Sequence, residues 1–115
     1  MYEGQLAAWL VTLAVEAIVA AILARQFGLV SWKAAAAAFF GSLVTHPVVW
    51  WTYFKIIYAI GYWPTFAVVE GFAVGVEAVF YRAAGARWDA AFAISFVVNA
   101  ASVLVGFALQ SAGWI

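Results

Sequence analysis

Three glutamates, a histidine and an asparagine (Glu16, Glu70, Glu77, His46 and Asn99) stand inside runs otherwise built from Ala, Val, Leu, Ile, Phe and Trp. Carboxylates and an imidazole suit a hard or borderline divalent ion such as Mn, Fe(II) or Zn, with the Asn amide as a further oxygen donor. The same groups take up and release protons, so they also suit a proton relay. A charge in hydrocarbon is costly unless it is paired, protonated or facing water, and residues of this kind mark a functional interior.

Helical residues four or seven apart share a face, and the polar residues follow that spacing. Glu70, Glu77 and Tyr81 make one stripe, Ser95, Asn99 and Ser102 a second, Thr12 and Glu16 a third, and Ser42 and His46 a fourth. Four polar edges buried against one another would form a polar seam inside a small bundle. For Thr12, Ser42, Ser95 and Ser102 the ordinary role is hydrogen bonding between neighbouring helices. Three glutamates and a histidine are poorly explained that way. The run Thr45-His46-Pro47 adds a proline inside a helix, which leaves the carbonyl of Leu43 without its amide partner and predicts a kink with free backbone acceptors beside the imidazole. Gly71, Gly75 and Ala78 predict a small-residue groove next to the carboxylate edge, where a neighbouring helix or a second copy could approach.

The elements that must carry these residues follow from composition. The 115 residues are 70% hydrophobic and 9% charged, with a mean hydropathy of +1.07, well outside the range of soluble domains. A hydrocarbon core about 30 Å thick needs roughly 20 apolar helical residues. Four such stretches are predicted, at about 6–24, 34–57, 65–81 and 90–112, separated at Arg25 to Lys33, Tyr58 to Pro64 and Arg82 to Asp89. The expected fold is all-α: a four-helix transmembrane bundle with short loops, a single domain over residues 1–115. At 1.5 Å per residue, Glu16 lies ~15 Å, Glu70 ~8 Å and Glu77 ~18 Å from the helix ends, which puts the five polar groups in a common layer about 10 Å thick.

The first segment lacks a basic start and carries Glu3 and Glu16, so it reads as a retained helix and not as a cleaved leader. Arg25, Lys33, Arg82 and Arg87 lie on one side and Lys55 alone towards the other, which predicts both termini outside the cytoplasm. Trp50, Trp51, Tyr53, Tyr58, Tyr62 and Trp63 would anchor the outer boundary, Trp32 and Trp88 the inner one. The basic residues could also meet anionic headgroups, although setting topology is their commoner role. Cysteine is absent, so disulfides and thiolate metal sites are excluded, and zero net charge offers no electrostatic case for nucleic acid. One histidine cannot supply the paired ligation of a di-iron or bis-histidine haem bundle.

The stretch Glu77-Ala78-Val79-Phe80-Tyr81-Arg82 is similar to the Glu-Glu-x-x-x-Arg motif of glutamate-dependent intramembrane CAAX proteases, with Asn99 and His46 set beside that family's Asn and His. Ala78 replaces the second glutamate, Ser95 stands where a His would precede Asn99, Ser42 replaces a Phe, and His46 precedes the glutamate helix instead of following it. Those departures weigh against proteolysis. Thr45-His46-Pro47, then Val76-Glu77-Ala78 with Tyr81, then Ser95, Asn99 and Ser102, resembles a family of small four-helix prokaryotic inner-membrane proteins. That resemblance implies a multi-pass inner-membrane location and no activity.

Three functions fit. The first is movement or binding of a proton or divalent metal ion, by a homo-oligomer because one small bundle leaves little room for a pathway. The second is a membrane enzyme or ligand-binding protein using Glu77, His46 and Glu70. The third is an accessory subunit of a larger membrane complex, whose glycine face and carboxylates would then point outward. The sequence favours the first. The expected metal ligands are Glu16, His46, Glu70, Glu77 and Asn99, supported by Thr12, Ser42, Thr45, Tyr81, Ser95 and Ser102, with the lipid bilayer as the surrounding partner. A divalent ion is the only cofactor the residues suggest.

Overall fold

A computed structural model describes residues 3–113, so the outermost residues of the expected 1–115 domain lie outside the described residues. Four helices carry the chain: α1 (Glu3–Leu23), α2 (Ser31–Ile60), α3 (Tyr62–Ala83) and α4 (Trp88–Ser111), with a short 3-10 turn at Ala24–Phe27. Each is long and apolar enough to cross a membrane. Helices α1 and α3 each pack against both α2 and α4, which gives an up-down-up-down bundle with sequence neighbours side by side.

The helices outrun the expected segments, most of all around the second break. Only Gly61 separates α2 from α3, where the sequence predicts an interruption from Tyr58 to Pro64. Gly61 sits at φ 87° and ψ 174°, a conformation that a Cβ forbids, and it reverses the chain alone. Pro64 falls in the first turn of α3, where an amide hydrogen has no helical partner, so proline leaves the helix intact. At the opposite end Gly28, with φ 70°, closes the 3-10 turn. Pro47 lies within a continuous α2. Leu43 and Pro47 are both exposed, so the carbonyl that proline leaves unpartnered stands on the outward side of the helix.

Large apolar side chains point outward on every helix: Leu10 and Ile22 on α1, Phe40 and Trp51 on α2, Val79 on α3, Phe96 and Leu104 on α4. Such a surface suits hydrocarbon and would be costly in water. The interior has two halves. Towards the end carrying the 3-10 turn and the α3–α4 loop, Ala20, Ala24, Ala34, Ala38, Ala78 and Ala91 lose all exposure and pack with Ile94 and Tyr81. Small side chains let the backbones close together, and this end of the bundle is solid. Towards the end carrying Gly61 and both chain ends, the helices separate around a cavity.

Candidate functional site

The cavity has a volume of about 410 Å³ and is walled by all four helices. Its mouth lies among Trp50, Tyr62, Phe66, Phe107 and Gln110, and its floor is made by Glu16, Ser42 and Glu77, above the alanine-packed end. No Lys or Arg contributes to its wall, whereas Glu16, Glu70 and Glu77 all do.

Helix geometry assigns each floor residue. Ser42 and Thr45 are three apart, and both turn fully inward from α2. Ser42 Oγ donates a short hydrogen bond to Glu16 Oε2 and lies 3.4 Å from Glu77 Oε1. Thr45 Oγ1 donates to Glu77 Oε2 at 3.2 Å. Three helices thus meet at one hydroxyl, with two carboxyl groups on either side of it. Both glutamates are almost completely withdrawn from the surface, Glu16 at 2% and Glu77 at 1% exposure. The two carboxyls thus meet at the floor of the cavity, and no Lys or Arg among the described residues lines it.

On α4, Asn99 Nδ2 donates to the Ser95 carbonyl at 2.8 Å, and the residue lines the cavity that Glu77 also lines. Ser95 Oγ donates to the Val74 carbonyl at 2.7 Å and ties α4 to α3. Ser102 Oγ lies 3.3 Å from Thr12 Oγ1 and ties α4 to α1. Those two contacts are interhelical hydrogen bonds of the ordinary kind. Glu70 lines the upper wall, two helical turns or about 10 Å above Glu77. Tyr81, one turn below Glu77, is fully buried, and its hydroxyl has no hydrogen-bond partner.

All five residues expected as metal ligands line this one cavity, yet they do not form one cluster. Among the described residues no three His, Asp or Glu side chains gather closely enough to hold a metal ion. The separation along α3 keeps Glu70 from the floor pair. His46 stands apart from the carboxyls in an aromatic sandwich: its Nε2 accepts a hydrogen bond from Trp50 Nε1 at 2.7 Å, and Trp9 stacks on it with ring centroids 6.4 Å apart and planes 3° from parallel. The ring nitrogen on that side is occupied, so the imidazole is held neutral with its proton on Nδ1. The inward partner of Ser42 is therefore Thr45, although the four-residue spacing points to His46.

The α3 glycines and carboxylates part company. A Cβ built on Gly71 or Gly75 would meet nothing within 4 Å, so neither forms the expected groove within the bundle, and only Ala78 of that trio packs inside. The close approach belongs to Gly41 of α2, a position that the polar-edge spacing does not mark. A Cβ there would stand 2.9 Å from Glu77 Cγ and 3.6 Å from Glu77 Cα. Gly41 is what lets α2 come near enough for Ser42 and Thr45 to reach Glu77. The protease-like motif is also divided. Arg82 faces away from the cavity, donating to the Ala86 carbonyl at 3.1 Å beside the Trp88 ring.

Comparison with protein-family models, with curated proteins and with solved structures finds no match. The functional reading therefore rests on the geometry of the cavity.

Proposed function

We propose that this chain is a multi-pass membrane protein that admits a cation from one side into the carboxyl-lined cavity and releases a proton from the Glu16–Glu77 pair as the cation arrives. The observation that carries the reading is the meeting of two buried carboxyls at the blind end of a cavity that has acidic walls and, among the described residues, no Lys or Arg. Such a cavity repels anions and attracts cations through a low-dielectric wall. A proton shared by the two carboxyls exchanges for the cation, so the net charge at the floor stays constant and entry adds none to the hydrocarbon interior. Glu70 is the first carboxylate a cation meets on entry, and Ser42, Thr45 and Asn99 supply the polar contacts that steady Glu77.

The distribution of Arg25, Lys33, Arg82 and Arg87 supports an orientation with the solid end in the cytoplasm and the cavity mouth, with both termini, outside it. In a prokaryotic inner membrane the cavity would collect its cation from the external face. Passage to the other side requires the alanine-packed end to open, by rocking of helix pairs or by pairing with a second copy. The spacing of the carboxyls favours a monovalent cation over a divalent metal, since no triad of ligands converges.

Titration of the purified protein in weakly buffered neutral detergent, with tetramethylammonium chloride and separately with manganese chloride, tests the reading. Tetramethylammonium is expected to bind with release of a proton, and Glu77→Gln is expected to abolish both binding and release. Binding of neither probe, or binding without proton release, would overturn it.

A further inference from the structure

A second hollow borders the cavity. It runs between α3 and α4 along the outer surface with a volume of about 320 Å³, and Phe66, Glu70, Asn99 and Val103 form walls of both spaces. The remaining wall of this groove is apolar and faces outward, and its rim residues Phe96 and Leu104 are 65% and 68% exposed. The two polar residues of the groove, Glu70 and Asn99, are walls that it shares with the central cavity. An outward-facing apolar trough thus borders an acidic chamber.

We infer that the cation this cavity accepts is amphiphilic: a single-chain organic ammonium whose head lies in the chamber by Glu70 and Glu77 and whose alkyl tail lies in the α3–α4 groove. The inference rests on the cation-binding reading above and names its substrate class. Charge complementarity selects the head. Glu16, Glu70 and Glu77 share the chamber with no Lys or Arg, which disfavours the phosphate of an ordinary phospholipid in the same place. Phe66, one helical turn from Glu70, presents an aromatic ring beside the head position, as suits a quaternary or primary ammonium, and Trp50 and Tyr62 line the mouth through which it would pass. The chamber volume exceeds what a bare ion needs, and a tail in the outward-facing groove that shares the Glu70 and Asn99 wall stays against the bilayer. The tail exchanges lipid contacts for groove contacts, so its role is to guide entry and orientation more than to add affinity.

Photolabelling tests this directly. The probe is dodecyltrimethylammonium carrying a diazirine in mid-chain, applied to the full-length protein in lipid nanodiscs, with labelled residues mapped by mass spectrometry. Label is expected on Val74, Phe96, Ala100 and Leu104, to fall at least fivefold with excess tetramethylammonium, and to be lost in Glu77→Gln. Ala100→Phe fills the groove without touching the chamber, and it is expected to cut labelling while leaving tetramethylammonium binding unchanged. Label spread evenly over the outward faces of α1 and α2, with tetramethylammonium still binding to the wild type, would overturn the amphiphile and leave the cation site standing. Label indifferent to Glu77, together with no tetramethylammonium binding, would overturn both.

Discussion

Replacing Gly41 with alanine inserts one methyl group between α2 and the stem of Glu77. The new Cβ would lie 2.9 Å from Glu77 Cγ, and ordinary contact begins near 3.4 Å, so the two groups must separate by about 0.5 Å. The obstructing atom is near the backbone, with Glu77 Cα at 3.6 Å, so rotation of the carboxylate end alone cannot relieve the contact. Thr45 Oγ1 and Ser42 Oγ stand 3.2 and 3.4 Å from Glu77, and such a shift takes the longer contact beyond hydrogen-bond range. Overpacking of this kind costs about 1–3 kcal/mol, set against up to about 1 kcal/mol gained from the better helix propensity of alanine. Gly71→Ala and Gly75→Ala receive the same propensity gain and meet nothing, so they serve as internal references. Thermal unfolding in detergent should place Gly41→Ala about 1–3 kcal/mol below either reference. Its tetramethylammonium affinity should fall about tenfold, the equivalent of about 1.4 kcal/mol. Equal stability and equal affinity in all three variants would refute the close α2–α3 approach at Glu77.

Two further predictions follow from the floor and from the aromatic sandwich. Ser42→Ala removes the hydroxyl between the two carboxyls, a bond to an ionisable group worth about 1.5–3 kcal/mol, and should weaken cation binding about tenfold or more while the bundle stays folded; unchanged affinity would show that Ser42 is ordinary interhelical packing. Nitrogen NMR of His46 should report an unprotonated, hydrogen-bonded Nε2 in the wild type and a displaced resonance in Trp50→Phe, with tetramethylammonium binding retained. A wild-type Nε2 that carries the proton would contradict the sandwich.

The four helices were legible because apolar runs of bilayer length admit few other structures, and their polar edges because residues four and seven apart must share a face. The α2–α3 break was overestimated because Tyr62, Trp63 and Pro64 look like punctuation, yet a first helical turn accommodates all three. Spacing within one helix says which residues share a face, but it cannot say towards which neighbour that face turns. That is why Ser42 was matched with His46 when Thr45 is its inward companion, and why Gly71 and Gly75 were credited with a packing role that belongs to Gly41. A signal for Gly41 existed in its adjacency to Ser42, four positions before Thr45. A single glycine after Phe39 and Phe40 has no second glycine at helical spacing to mark it as a packing position. The meeting of Glu16 and Glu77 depends on α1 and α3 both converging on Ser42 of α2, a tertiary fact with no local trace.

The central claim is a one-sided acidic chamber ending at the Glu16–Glu77 pair, and the absence of native cysteine makes it directly measurable. With Ser102→Cys as the sole thiol in sealed vesicles, a cationic methanethiosulfonate should react from the side bearing the chain ends and not from the other. It should react at least tenfold faster than its anionic counterpart, and that preference should vanish when Glu16, Glu70 and Glu77 are all changed to Gln. Reaction from both sides, or equal rates for the two reagents in the wild type, would contradict the account.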